Sequence, residues 1–315
     1  MQSSMSKGLK FFFIAFLASF FGLFSLNIFQ ENLENYFYAQ ISQPFEEIVF
    51  VKIPPKPQKP ELDLQVKAAI SVKLDEIEAE NILFNKNINQ PLPIASLTKL
   101  MTATIILEDK NYDLEETWTI SKTAANQENV PNYGNLKVGE KFTLRQLLDL
   151  MLIYSSNDAT FALSEIIGVE NFIQKMNQKA EELGLKNTHF VNPTGLDPEN
   201  LHYSQDASIF FNYSTVKDLV KLSQYILKNH PLIFEISSQS GPYPFENGVS
   251  NLSLSENQII LGGKTGYTDE AGGCIIFLFK NGRENIFFNV ILGTESQAAR
   301  ITEMQKLINW LTISQ

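Results

Sequence analysis

The sequence predicts an α+β domain behind an N-terminal apolar helix, and three observations lead to this prediction. An uncharged apolar run covers residues 11–29. The middle of the chain carries several helical segments with apolar faces, and the C-terminal part has the pattern of strands followed by a helix. The 315 residues are 44% hydrophobic and 19% charged, a composition that suits one globular domain with extensions.

The N-terminal run has the length of a membrane-spanning helix. Its 19 residues, FFFIAFLASFFGLFSLNIF, would rise about 28 Å, close to the hydrocarbon thickness of a bilayer. Lys7 and Lys10 precede it, which predicts residues 1–10 as a short cytoplasmic tail and the bulk of the chain outside the cytoplasm. A signal peptide, cleaved or left uncleaved, is the alternative. The anchor is favoured because the apolar region of a signal peptide is usually shorter, about 7–15 residues, and because the following QENLENYFYAQ lacks a good cleavage site. We expect a single-pass anchor in the cell membrane.

A proline-rich stretch follows the anchor. The segment VKIPPKPQKPEL carries four prolines, a composition that favours an extended, semi-rigid spacer. The sequence therefore predicts an extracytoplasmic linker over residues 30–62 and a folded domain over residues 63–315.

The first half of the domain is predicted as two strands and then helices. LQVKAAISVKL and ENILFNK are the strands, joined by an acidic turn around Glu76–Glu80. Thr143 is a plausible N-cap, Gly168 a plausible helix end, and T-V-K-D from Thr215 has the pattern of a helix start. The predicted helices cover residues 97–108, 143–154, 157–168, 170–183 and 215–229.

The C-terminal part is predicted as an antiparallel meander closed by a helix. QIILGGKTGY, GGCIIFLFK and ENIFFNVILG are the strands, and Asn281-Gly282 is a strong hairpin signal between the last two. In the final helix, one face is apolar. That face comprises Ile301, Met304, Leu307, Ile308 and Leu311.

Charge and composition exclude several classes of function. A net charge of −10 disfavours a nucleic acid as partner. Cys274 is the single cysteine, so no intramolecular disulfide can form, and its apolar strand predicts a buried thiol. The three histidines are scattered, so there is little material for a zinc site, and we expect neither a metal nor a cofactor.

A lysine interrupts the apolar segment PIASLTKLMTATIIL, which suggests a catalytic role for it. Ser96 and Lys99 stand three residues apart and therefore share a helix face. A serine becomes a good nucleophile when a base takes its proton, and a lysine can be that base if burial and a nearby cation lower its pKa. The alternative is a serine N-cap beside a lysine whose ammonium reaches solvent.

Two further motifs accompany this pair. SSN at residues 155–157 lies between two apolar helices, where extended backbone would point Ser155 and Asn157 the same way. KTG at residues 264–266 lies on a predicted strand, and its Gly266 would let a ligand or another backbone approach closely.

S-x-x-K, S-x-N and K-T-G in this order resemble the signature of the penicillin-recognising serine enzymes. The contexts PIASLTKLMTA, LLDLMLIYSSNDAT and GGKTGYTDEAGGC are similar to those of the D-alanyl-D-alanine carboxypeptidases, the low-molecular-weight penicillin-binding proteins. The resemblance runs from about Ala68 to Trp310. It implies a β-lactamase/transpeptidase-like fold, in which helices and a helical subdomain flank an antiparallel sheet.

The resemblance also implies roles for the first two motifs. Ser96 resembles the acylated nucleophile and Lys99 its general base. Ser155 would relay a proton to the leaving D-alanine, and Asn157 would hold the amide of the substrate.

For the third motif, the resemblance implies a substrate-binding strand. Lys264 would supply positive charge near the substrate carboxylate, and Thr265 would hydrogen-bond that carboxylate beside Gly266. The backbone N–H of Tyr267, with that of Ser96, would form the oxyanion hole. Arg300 is a further candidate for carboxylate binding, and an exposed arginine at a helix end is the alternative.

The implied function is a membrane-anchored serine DD-carboxypeptidase that removes the terminal D-alanine from peptidoglycan stem peptides, with β-lactams as covalent inhibitors. A DD-endopeptidase that cuts cross-links is the close alternative. A β-lactamase is disfavoured, because class A enzymes carry S-D-N where this chain has Ser156, and because E-x-x-L-N is missing. A non-catalytic wall-binding protein would show decay in at least one motif, and all three are intact.

Overall fold

The computed structural model describes residues 7–41, 60–75, 80–111, 113–127, 135–198, 211–239, 249–282 and 285–312. The chain divides into two compact units, Met1–Gln58 and Lys59–Gln315. The helices are α1 (Lys7–Ile41), α2 (Lys99–Glu108), α3 (Leu144–Ile153), α4 (Asn157–Glu165), α5 (Val169–Glu182), α6 (Val216–Asn229), α7 (Leu232–Ser237) and α8 (Gln297–Thr312). The strands are β1 (Ala68–Leu74), β2 (Glu80–Lys86), β3 (Leu92–Pro93), β4 (Thr117–Thr119), β5 (Lys141–Thr143), β6 (Tyr213–Ser214), β7 (Gln258–Thr268), β8 (Gly272–Asn281) and β9 (Ile286–Thr294).

In the first unit, the described residues form the single helix α1. It is long and apolar enough to cross a membrane, since an 18-residue stretch within it has a mean hydropathy of 2.1, a property that signal sequences share. The apolar run 11–29 lies inside it, which is consistent with membrane anchoring. The helix continues to Ile41, so residues 30–41, which the sequence assigns to the linker, are helical. They contain no proline or glycine that would end the helix. Residues 42–59, with three of the four prolines of VKIPPKPQKPEL, lie outside the described residues.

The second unit is built on a five-stranded antiparallel sheet, in the order β2-β1-β9-β8-β7. Alternate residues of β8 point to opposite faces of this sheet. Ile276 and Leu278 therefore pack towards the helices α2–α7, whereas Phe277 and Phe279 pack towards α8. Because both faces are covered, the run GCIIFLF is continuously apolar. This architecture confirms the predicted α+β class, with helices that flank an antiparallel sheet.

Most predicted elements are present, and the start and end signals explain their limits. Thr143 caps α3 in a capping box with Gln146, and Thr215 caps α6 by accepting from the N–H of Asp218, both as predicted. Two strands flank the predicted acidic turn, whose residues 76–79 lie outside the described part of the chain.

Several details differ from the prediction, which also lacks the four short strands β3 to β6. The third predicted helix ends at Glu165, because Gly168, with a φ of +81°, instead precedes and caps α5. The predicted helix over residues 97–108 begins as a 3₁₀ turn, Ala95–Thr98, and becomes α-helical at Lys99. Helix α7 is absent from the prediction, because six residues are too few to reveal a helical period.

Candidate active site

Ser96 lies in the 3₁₀ turn that leads into α2, and Lys99 is the first residue of that helix. The Nζ atom of Lys99 donates a hydrogen bond to the Oγ atom of Ser96 over 2.9 Å. Ser96 is half-buried, whereas Lys99 is completely buried. The lysine is therefore a desolvated partner of the serine, and the alternative of a lysine whose ammonium reaches solvent is wrong.

The backbone before Ser96 is held in an uncommon conformation. Ala95 has a φ of +46°, in the left-handed region that costs a non-glycine residue about 1–3 kcal/mol. Gly195 packs directly against it, since a β-carbon on Gly195 would lie 2.0 Å from the carbonyl oxygen of Ala95. Packing from a distant loop thus maintains the turn that presents the serine.

Lys99 has three oxygen atoms around its amine. Besides Ser96 Oγ, its Nζ donates to Asn157 Oδ1 and to the backbone carbonyl of Thr194, each over 2.7 Å. Burial, and next the positive charge of Lys264, hold the pKa of Lys99 well below its usual range. This environment favours the neutral amine, which is the form that can accept a proton.

The SSN motif links α3 to α4, and its backbone is not extended as predicted. Ser155 has a φ of +59°, just after the end of α3. Ser156 is the N-cap of α4 and accepts from the N–H of Ala159, and Asn157 is the first helical residue. The turn nevertheless directs Ser155 and Asn157 to the two buried lysines, because Lys264 Nζ donates to Ser155 Oγ over 2.9 Å.

The KTG motif lies on β7, next to the turn that carries Ser96. Lys264 is 3% exposed, and burial with the nearby charge of Arg300 lowers the pKa of Lys264 to about 7. A β-carbon on Gly266 would lie 2.8 Å from the backbone nitrogen of Ser96, so only a glycine permits this approach. Tyr267 follows in the strand and is half-buried.

Arg300, in the first turn of α8, is buried behind this strand. It is 4% exposed, so the alternative of an exposed arginine is wrong. Its Nη1 atom donates to the carbonyl of Gly266 over 2.8 Å. Burial lowers the pKa of Arg300 to about 10. The guanidinium thus fixes the backbone of β7 from behind, and its role in carboxylate binding stays a prediction.

One element at this site is missing from the sequence-based prediction. The turn N-P-T-G, residues 192–195, supplies the Thr194 carbonyl to Lys99 and is held by the buried side chain of Asn192. Asparagine before proline, followed by a glycine, is a strong turn signal and could have revealed the turn. Its contact with Lys99 spans 95 positions of the chain and has no local signal.

The single cysteine and the metal-ligating residue types were the other candidates for chemistry. Cys274 is completely buried, as predicted, and burial raises the pKa of its thiol to about 11. Among the described residues, no three His, Cys, Asp or Glu side chains converge to form a possible metal site. The groups that meet at the site are a hydroxyl, an amine with a lowered pKa and nearby buried cations, a set suited to acyl transfer.

Comparison with known proteins agrees with this arrangement. The sequence model of the D-alanyl-D-alanine carboxypeptidase family, peptidase S11, matches residues 55–296. The chain is 32% identical over 262 residues to D-alanyl-D-alanine carboxypeptidase DacF of Bacillus subtilis strain 168, covering 79% of this chain and 63% of that relative's length. It is 29% identical to a D-alanyl-D-alanine endopeptidase of Pseudomonas aeruginosa PAO1, covering 82% of each.

A solved structure has the same fold. Penicillin-binding protein D2 of Listeria monocytogenes, in its ampicillin-bound form, superimposes with a TM-score of 0.65 at 30% identity, covering 80% of this chain and 98% of that one. The family match, the curated relatives and the fold agree. The chain belongs to the D-alanyl-D-alanine carboxypeptidase family of serine peptidases.

Proposed function

We propose that this chain is a serine-type D-Ala-D-Ala carboxypeptidase that removes the terminal D-alanine from peptidoglycan stem peptides. The observation that carries the proposal is the 2.9 Å hydrogen bond between the half-buried Ser96 hydroxyl and the completely buried Lys99 amine. A nucleophile and a base with a lowered pKa, in hydrogen-bond contact, are the two groups that acyl transfer needs.

In the acylation step, Ser96 Oγ attacks the carbonyl carbon of the penultimate D-alanine, and its proton passes to Lys99 Nζ. The backbone N–H groups of Ser96 and Tyr267 would stabilise the oxyanion. The close approach of Gly266 to the Ser96 nitrogen supports this pairing, because it brings the two backbones together. Losing one such donor typically costs about 2.7–4 kcal/mol of transition-state stabilisation.

The leaving group needs a proton as the C–N bond breaks. Ser155 Oγ would deliver its proton to the nitrogen of the departing D-alanine and take in exchange the proton that Lys99 received from Ser96, so that Lys99 is again neutral. Lys264 Nζ, 2.9 Å from the Ser155 hydroxyl, would orient it. Asn157 would hold the substrate amide while its Oδ1 orients Lys99. Water then hydrolyses the ester on Ser96 and regenerates the enzyme, and a β-lactam would stop at this ester.

Positive charge near β7 supports recognition of the substrate's terminal carboxylate. Lys264 and Thr265 would contact the carboxylate, and Arg300 would add positive potential from behind the strand. The single D-alanine that leaves carries this carboxylate, so the same contacts would select the chain end of the stem peptide.

Helix α1 supports a location at the cell membrane. We propose that residues 11–29 anchor the chain, that residues 1–10 are cytoplasmic, and that the domain over residues 63–315 lies outside the cytoplasm. The segment before that domain would act as a spacer between the membrane and the wall.

Covalent labelling tests the proposal directly. The full chain, solubilised in detergent, is incubated with a fluorescent penicillin, and the labelled peptide is identified by mass spectrometry. A stable adduct on Ser96, no adduct with Ser96→Ala, and D-alanine release from a D-Ala-D-Ala peptide are the expected results. Folded protein with no adduct would instead indicate a non-catalytic wall-binding protein, and rapid drug loss without an adduct would indicate a β-lactamase.

Cleavage of cross-links is a second candidate function. The Pseudomonas aeruginosa relative, which aligns over 269 residues, is named an endopeptidase. Incubation with purified cross-linked muropeptide dimers distinguishes the two activities. Faster release of monomers from dimers than of D-alanine from monomers would favour the endopeptidase.

A further inference from the structure

The arrangement around Lys99 determines where its lone pair points. Two of its three neighbours, Asn157 Oδ1 and the Thr194 carbonyl, are acceptors that carry no proton. Ser96 Oγ is the neighbour that can also donate. A neutral lysine amine has two N–H bonds and one lone pair. If the N–H bonds are directed at the two carbonyl oxygens, the lone pair faces the Ser96 hydroxyl.

The same three oxygens suit the protonated amine. When the Ser96 proton moves to Lys99, the ammonium has three N–H bonds, and each has an acceptor in place. The base is therefore prepared for both protonation states, provided that both carbonyl oxygens stay where they are. Asn157 is held by its helix, so the question is what fixes the carbonyl of Thr194.

A buried asparagine fixes that carbonyl. Asn192 is 0% exposed, and its Oδ1 accepts from the N–H and hydroxyl of Thr194, each over 3.1 Å, and from the N–H of Gly195 over 2.7 Å. Its Nδ2 donates to the carbonyl of Leu196 over 3.1 Å. One side chain thus closes the whole turn and sets the peptide plane that carries the Thr194 oxygen.

A second asparagine ties this turn to the turn that carries the serine. Asn212 Nδ2 donates to the backbone carbonyl of Asn192 over 2.8 Å and to Thr98 Oγ1 over 2.9 Å. Its Oδ1 accepts from the N–H of Asn192 over 3.1 Å. Because Thr98 belongs to the turn of Ser96, the network fixes the Thr194 carbonyl relative to the nucleophile.

We infer that Asn192 is a positioning residue for the base: it fixes the Thr194 carbonyl and so directs the Lys99 lone pair at the Ser96 hydroxyl. The inference rests on the proposed acyl-transfer function. Asn192 acts through Lys99 and need not touch the substrate. Its loss should therefore slow the chemical step without weakening the binding of a β-lactam.

The test measures β-lactam binding and the chemical step separately. Acylation of the full chain in detergent is measured against penicillin concentration, which gives the binding constant K and the rate constant k2. Asn192→Ala should lower k2 by about a hundredfold, the effect of misplacing a catalytic group by about 1 Å, and leave K within threefold.

Asn177→Ala is the matched control. The Asn177 amide makes two hydrogen bonds to the backbone of Phe190, two residues before the turn, and within the described part of the chain it makes none to residues 192–195. This variant should lose stability comparably, as read by thermal unfolding, yet keep k2 within twofold. Equal losses of k2 in Asn192→Ala and Asn177→Ala, or an unchanged k2 in folded Asn192→Ala, would overturn the inference.

Thr194→Val is a milder variant if Asn192→Ala does not fold. It removes the hydroxyl, which donates to Asn192 Oδ1 and accepts from the N–H of Leu196, but it keeps the hydrogen bonds from the N–H groups of Thr194 and Gly195 to Asn192. A loss of k2 of about fivefold to tenfold is expected, smaller than for Asn192→Ala because the turn keeps most of its bonds, and an unchanged k2 would overturn the inference. A wild-type chain that is never labelled would refute the proposed function itself, which is a separate outcome.

Discussion

Gly266→Ala should disable acylation while leaving the fold intact. The backbone at Gly266 has an ordinary φ, so alanine can adopt it, and the effect is purely steric. The added β-carbon would lie 2.8 Å from the backbone nitrogen of Ser96, 3.0 Å from Ala95 Cβ and 3.2 Å from the carbonyl of Ile94. Comfortable contacts need about 3.5 Å, so β7 and the serine turn must separate by about 0.7 Å.

The two backbones that separate are those that carry the proposed oxyanion donors, Ser96 and Tyr267. Misplacement of a catalytic group by about 1 Å can cost about a hundredfold in rate, and complete loss of one donor about 10²–10³-fold. We therefore expect the second-order rate constant of acylation to fall by about 10²–10³-fold. The variant should still unfold cooperatively at a melting temperature near that of the wild type, because β7 stays paired with β8 along its length.

The assay is a time course of labelling with a fluorescent penicillin, quenched at set times, and thermal unfolding is measured in parallel. Gly282→Ala is the matched control, since the nearest atom to its new β-carbon is the Asn257 carbonyl oxygen at 3.7 Å, an ordinary contact. This control should label within twofold of the wild-type rate. If Gly266→Ala were labelled as fast as the wild type, the close approach between Gly266 and Ser96 would not position the oxyanion hole. That result would refute the reasoning.

Three further predictions concern the base, a buried charge and a helix cap. Lys99→Met should lower acylation by about 10²–10⁴-fold, the usual contribution of a general base, and near-normal labelling would remove Lys99 from that role. Burial lowers the pKa of Lys264 from 10.5 to about 7 in the folded chain. Between these two pH values the unfolded chain binds one more proton than the folded chain, so the free energy of unfolding rises with pH. The stability gain of Lys264→Met over wild type should therefore be largest below about pH 7 and shrink towards pH 10 in thermal unfolding, and a pH-independent gain would contradict the cause. Thr143→Ala removes the capping box of α3 and should cost about 0.5–2 kcal/mol in chemical denaturation with labelling retained, whereas an unchanged midpoint would show that the cap contributes nothing.

The sequence determined those features whose causes are local. The alternation and turn signals of the last three strands, and the caps at Thr143 and Thr215, act within a few residues, and the structure has these elements where they were predicted. The three motifs, in their order, were enough to indicate the family. Short elements such as α7 and the 3₁₀ turn before Lys99 escaped prediction, because a few residues carry too little periodicity.

Only the tertiary structure decided how the motifs meet. Lys264 and Ser155 are 109 positions apart, and Lys99 and Thr194 are 95 apart, yet each pair is joined by one hydrogen bond. Arg300, which the sequence left between a binding role and an exposed helix end, is buried against Gly266 because α8 covers that face of the sheet. Contacts between distant residues depend on how whole layers pack, and the pKa of a lysine depends on the burial that this packing creates. The sequence thus indicated which groups react, and the packing decided which of them touch and which are desolvated.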